Sequence, residues 1–232
     1  IIGSVIRFSI REQDRPDFQK AFEIAEAEME KSVKENPLDL RARLFLGRLY
    51  TASFQFSGNQ EKLILAQQKF EESIAISPNN QQGYWYLAEV KLGMGQAQEA
   101  IDLLKKAVEL EPLYGRSHWY LVRAYEVTGQ YQLAQDSLEQ AEKADFNWQE
   151  ELGDIKEVIK IYAGLQDDAS LVPIFLQAIE KAPKDVQLWA GLAASYANLG
   201  QFDKAREAVN KMVEINPDSA SKAEEFLKSL QQ

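Results

Sequence analysis

Apolar and small residues recur along most of the chain at intervals of three and four. In residues 81–114, Tyr84, Leu87, Ala88 and Lys91 fall at i, i+3, i+4 and i+7, which places them on one face of a helix. Gly95 then permits a turn. Ala100, Leu104 and Ala107 fall at i, i+4 and i+7 on a second helix, and Pro112 stops it, because the residue before a proline is pushed out of helical geometry. The predicted unit is a pair of short helices joined by a tight turn. It repeats: Pro78 and Pro112 are 34 residues apart, as are Pro183 and Pro217, and Phe146 stands where the next proline would fall. The first small residue of the second helix recurs as Ala25, Ala66, Ala100, Ala134 and Ala205. Its large partner recurs as Met29, Phe70, Leu104, Leu138, Phe175 and Val209. The alternation has a packing reason: antiparallel helices approach closely only where side chains are short, and a large residue fills the space beside each contact.

Five pairs follow from this frame, at 38–79, 81–114, 115–148, 149–185 and 186–217. The first is about seven residues too long, with the excess around Phe54–Glu61 predicting a longer helix or loop there. The fourth is the most degenerate, with Leu171 in the small-residue place and Pro173 in an early helical turn. Residues 1–37 read as an N-terminal segment carrying the second helix of a partial repeat. Residues 218–232 read as a capping helix with Ala223, Phe226, Leu227 and Leu230 facing inward, the polar-backed end that stacked repeats need.

Composition narrows the function. The net charge is −10, from 26 basic and 36 acidic residues, so the chain as a whole is not drawn to nucleic acid or anionic lipid. Cysteine is absent, which excludes disulfides and thiolate metal sites but does not identify a compartment. No apolar run is long enough to insert in a membrane. The opening Ile1-Ile2-Gly3-Ser4-Val5-Ile6 is too short for a span and has no initiator Met, so the chain reads as a fragment or a processed product.

Candidate chemistry is sparse. His118, the single histidine, sits beside Trp119 at a position normally filled by a large core residue and reads as structural. Gly93-Met94-Gly95 lacks the preceding strand and the Gly-Lys-Ser/Thr of a phosphate loop and reads as a turn. The acidic series Glu23, Glu26, Glu28 and Glu30 reads as a solvated helix face. No catalytic constellation, metal site or cofactor is indicated.

Over residues 17–232 the pattern resembles the tetratricopeptide-repeat (TPR) superfamily. That resemblance implies an all-α, right-handed superhelix, an α-solenoid of antiparallel helix pairs, used for protein–protein binding, with the first helix of each pair lining a concave groove. The positions so implied to face the groove are Arg41, Leu44 and Arg48, then Gln82, Trp85, Tyr86 and Glu89, then Arg116, Trp119, Tyr120, Arg123 and Glu126, then Lys156 and Lys160. The fifth pair is nearly bare. This face is basic although the chain is acidic. Arginines with aromatic faces suit a protein or peptide segment with acidic and apolar side chains. They equally suit a glycan stacked on Trp85 and Trp119. A packing role is the alternative, with the aromatics between adjacent first helices and the cations paired to Glu89 and Glu126. Trp85, Glu89, Trp119 and Arg123 depart from the lysine and asparagine pattern of the clamps that hold chaperone tails. Ile10-Arg11-Glu12-Gln13, Asn36-Pro37-Leu38-Asp39, Phe45-Leu46-Gly47-Arg48-Leu49-Tyr50 and Ser117-His118-Trp119-Tyr120-Leu121 also resemble the soluble C-terminal repeats of bacterial O-antigen ligase/polymerase-like membrane proteins. That likeness implies an accessory domain of a glycan-assembly enzyme.

Overall fold

The structure is a computed structural model, and it describes residues 15–229. The Ile1–Ile6 run, the Ile10–Gln13 string and Leu230 of the capping helix lie outside the described residues. The chain divides into two compact units, one ending at Phe146 and the other starting at Asn147. Among the described residues there are helices and no strand.

In the first unit α1 (Arg15–Glu35) precedes three pairs: α2 (Leu40–Ser57) with α3 (Gln60–Ile76), α4 (Gln81–Gly93) with α5 (Ala97–Leu110), and α6 (Gly115–Val127) with α7 (Tyr131–Lys143). The second unit holds α8 (Leu152–Gly164) with α9 (Asp168–Lys181) and α10 (Val186–Asn198) with α11 (Phe202–Ile215). A 3-10 turn (Pro217–Ser219) and α12 (Ala220–Ser229) complete it. The starts of α2, α3, α4, α9 and α10 carry side-chain caps. The Asp39 carboxylate accepts from the Arg41 and Ala42 amides at 2.9 and 3.1 Å, and Asn80 and Asp185 accept from Gln82 and Gln187. At the pair turn Gly95 has φ +77°, the left-handed backbone that glycine adopts without cost. The fourth pair places Gln166 in that conformation instead, at φ +57°.

The small-and-large alternation forms the core. Ala66, Ala100, Ala134 and Ala205 are fully buried, and Phe70, Leu104, Leu138 and Val209 lie beside them. At Gly47 a Cβ would fall 2.5 Å from the Phe70 ring, and at Gly191 one would fall 2.3 Å from Phe175. In both pairs the aromatic ring occupies the space a side chain would need.

The first pair is longer at its hairpin end. Helix α2 has 18 residues and α3 has 17, against 13 in α4 and 14 in α5. The additional residues fall at the end of α2 and the start of α3, so the extension projects past the point where the other hairpins turn.

Candidate functional site

Within the first unit α2 lies against α4, and α4 against α6. Equivalent positions on these three helices form rows: Arg41, Gln82 and Arg116; Phe45, Tyr86 and Tyr120; Arg48, Glu89 and Arg123.

The tryptophans are not on the open face. Trp85 is 4 % exposed and Trp119 is 5 % exposed. The Trp85 ring stacks on Tyr114 (5.5 Å between centroids, 12° between planes) and on Tyr120 (5.3 Å, 19°), and its indole Nε1–H donates to Ser117 Oγ at 3.1 Å. Trp119 stacks on Phe146 at 5.0 Å. This corrects the expectation that Trp85 and Trp119 present free faces to a ligand. Their faces are spent on packing between successive pairs, which removes the platforms a sugar ring would stack on.

The polar rows remain at the surface. Arg41, Arg48 and Arg116 are exposed and make no ion pair among the described residues. The Arg48 guanidinium lies 5.4 Å from the centroid of the half-buried Tyr86 ring. Arg123 reaches Glu89 at 3.4 Å, a long pairing between partly buried side chains. Burial pushes the Glu89 carboxyl above its usual range, against the pull of Arg123 and Arg48. Burial, then the neighbouring Glu89, pushes the Tyr120 hydroxyl up to about 12. Glu126 stands half-buried three residues beyond Arg123 on α6.

Sequence reasoning passed over Phe45. It is 53 % exposed and shares a row with Tyr86 and Tyr120. The spacing could have found it, because Phe45 lies 41 residues before Tyr86, the offset that also sets Arg41 before Gln82 and Arg48 before Glu89; the frame put Leu44 there instead, and Leu44 is buried.

In the second unit both expected cations have partners. Lys156 pairs with Asp185 at 2.7 Å and Lys160 with Glu157 at 2.8 Å. Two readings of single residues also resolve. The His118 Nε2–H donates to the Pro112 carbonyl at 2.8 Å. Tyr84 Oη donates to Pro78 at 2.8 Å and Trp189 Nε1 to Pro183 at 2.9 Å in the same way. At Pro78, Pro112 and Pro183 a ring donor six residues later thus ties the proline to the next helix. The acidic series on α1 is not wholly solvated: Glu26 is buried in an ion pair with Lys62, and Glu30 accepts from the Tyr50 hydroxyl. Among the described residues no group of His, Cys, Asp or Glu side chains is placed to hold a metal ion, and no helix is long and apolar enough to cross a membrane.

Comparison with known proteins agrees with this construction. The tetratricopeptide-repeat family profile matches residues 91–159 and 153–230. The solved structure of YrrB, described as a TPR protein with an unusual peptide-binding site, shares 18 % identity with a TM-score of 0.65, covering 82 % of this chain and 93 % of that one. MamA of Desulfovibrio magneticus RS-1 shares 16 % identity at a TM-score of 0.58, covering 74 % and 96 %. A thermophilic TPR protein of Thermus thermophilus shares 20 % at 0.51, covering 83 % and 98 %. At these identities the likeness establishes the fold alone. No curated protein matches the sequence. The profile matches span more than half of the residues, over the same paired helices and small-residue contacts described above, and the chain belongs to the tetratricopeptide-repeat family.

Proposed function

We propose that this chain is a non-catalytic scaffold whose first unit holds an extended protein segment along α2, α4 and α6. Carboxylates of the segment meet Arg41, Arg48 and Arg116, and its apolar side chains meet Phe45 and the edge of Tyr86. The observation that carries this reading is the set of three exposed arginines without ion pairs on one face of a chain of net charge −10. In an acidic protein a surface arginine readily finds a carboxylate, and these three have none among the described residues. Phe45, exposed in the adjacent row, supplies the apolar half of the recognition. Arg123 and Glu89 satisfy one another and set the floor between the flanking cations.

The test is fluorescence anisotropy with labelled decapeptides alternating glutamate and leucine, against lysine–leucine controls of the same length. The glutamate peptides should bind, and binding should weaken as salt rises. Arg41→Glu, Arg48→Glu and Arg116→Glu together should reduce affinity by roughly tenfold or more. Equal binding of both peptide classes, or a flat salt response, would count against the reading.

A further inference from the structure

The extension of the first hairpin builds a pocket of its own. A cavity of about 290 Å³ lies between α1, the end of α2 and the start of α3. Its α2–α3 wall, from Ser53 through Phe56 to Lys62, belongs to the stretch by which this hairpin exceeds the shorter ones. Glu26 of α1 lines the cavity and is 5 % exposed. Its Oε2 takes the Lys62 ammonium at 2.5 Å, while its buried Oε1 has no hydrogen-bond partner. Buried carboxylate oxygens in folded proteins almost always find a donor, so an orphan at a cavity wall calls for one supplied from outside. Exposed Glu23 and Glu61 add two carboxylates to the lining, leaving three acidic groups against the single Lys62 ammonium. The Phe22 and Phe56 rings, 5.6 Å apart, give the same cavity an apolar, cation-attracting wall.

We propose that this pocket binds an organic cation on an apolar stem: an alkylammonium or alkylguanidinium group, the chemistry of a lysine or arginine side chain. The head group donates to Glu26 Oε1, the acidic lining balances its charge, and the stem lies along Phe22 and Phe56. A cavity at the small end of ligand-site sizes suits one side chain, not a nucleotide or a prosthetic group. The site selects the charge opposite to that favoured by Arg41, Arg48 and Arg116, so the two readings stand or fall separately.

The experiment is an NMR titration of the isotope-labelled chain with three probes: N-acetyl-lysine methylamide, N-acetyl-arginine methylamide and the neutral N-acetyl-norleucine methylamide. The two cations should shift the amides of residues 53–62 saturably, and the neutral probe should not. Whichever cation binds tighter identifies the head group. Glu26→Gln should weaken the cations by roughly tenfold. That change also removes the partner of Lys62. The exposed pair Glu23→Gln with Glu61→Gln therefore serves as a second variant, which should weaken binding several-fold at unchanged circular dichroism. The triple arginine variant should leave this titration unaltered. The proposal is overturned by no saturable shift in the unmodified chain, by an equal response to the neutral probe, or by cation binding indifferent to both variants.

Discussion

His118 looks like the one residue able to run acid–base chemistry, and its surroundings give it a different task. It holds the Pro112 carbonyl through Nε2, as Tyr84 and Trp189 hold Pro78 and Pro183. The common requirement is a ring donor of the right reach. His118→Tyr should therefore be nearly neutral, whereas His118→Phe should cost about 1 kcal/mol in urea unfolding. Equal losses in both would show that ring shape, not the donor, is what counts. Trp119 makes the converse point. Its period places it beside Trp85 in the frame but does not say which way the ring turns. For Trp119 that is decided by Phe146, and for Trp85 by Tyr114 and Ser117, residues from turns and helix starts outside the repeating apolar face. Trp119→Ala should consequently act as a core truncation and lower stability by about 3–5 kcal/mol. A loss of partner binding at full stability would contradict that assignment.

The helix pairs themselves were the most legible feature. The alternation of Ala66, Ala100, Ala134 and Ala205 with Phe70, Leu104, Leu138 and Val209 reflects a steric demand that each pair must meet on its own. Gly47 is the extreme case. Because a Cβ there would meet the Phe70 ring at 2.5 Å, Gly47→Ala should destabilise by about 1–3 kcal/mol despite its better helix propensity. Pairing with Phe70→Leu should recover part of the loss in the same thermal melt. Electrostatic links between elements were harder to read, since the partners lie some thirty residues apart without a period of their own. Lys156 on α8 reaches Asp185, the cap of α10. The hydrogen bond from Lys156 outweighs the partial burial of the Asp185 carboxyl and holds it below the ordinary carboxylate range. The native state therefore binds that proton less readily than the unfolded chain. The contribution to stability is complete above the ordinary range and is lost as pH falls through the native value. Lys156→Met should reduce stability at about pH 7 more than at about pH 3 in denaturant titrations. An equal loss at both would assign Lys156 a purely steric role.

On the scale of the molecule, it was the repeat frame and not the net charge of −10 that put Arg41, Arg48 and Arg116 on one face, since a net charge says nothing about how cations are grouped. The long first hairpin shifts Arg41, Phe45 and Arg48 equally from the 34-residue frame, so Phe45 was missed by one position on its own helix, in favour of the buried Leu44. The same hairpin made visible only an excess of length. Neither the cavity beneath it nor the inward turn of Glu26 follows from apolar spacing. The C-terminal end was easier, because a terminal repeat must cover its last apolar face. Ala223 is buried, and a cleft of about 490 Å³ remains between α12 and the α10–α11 pair. Removal of residues 219–232 should expose Val209 and Met212, lower the melting temperature and promote aggregation. A truncated chain of unchanged melting temperature would refute the capping role.

The rows on α2, α4 and α6 also act as a ruler. Packed helices stand about 8–10 Å apart, and an extended chain rises about 3.3 Å per residue. A segment crossing the three helices thus advances about three residues from one to the next. Arg41, Gln82 and Arg116 would then be met by every third side chain of the guest. The sequence rule this imposes on a binding partner is a spacing more than a composition: acidic, any two, neutral, any two, acidic. Scrambling a bound peptide at constant composition should abolish its preference for this surface.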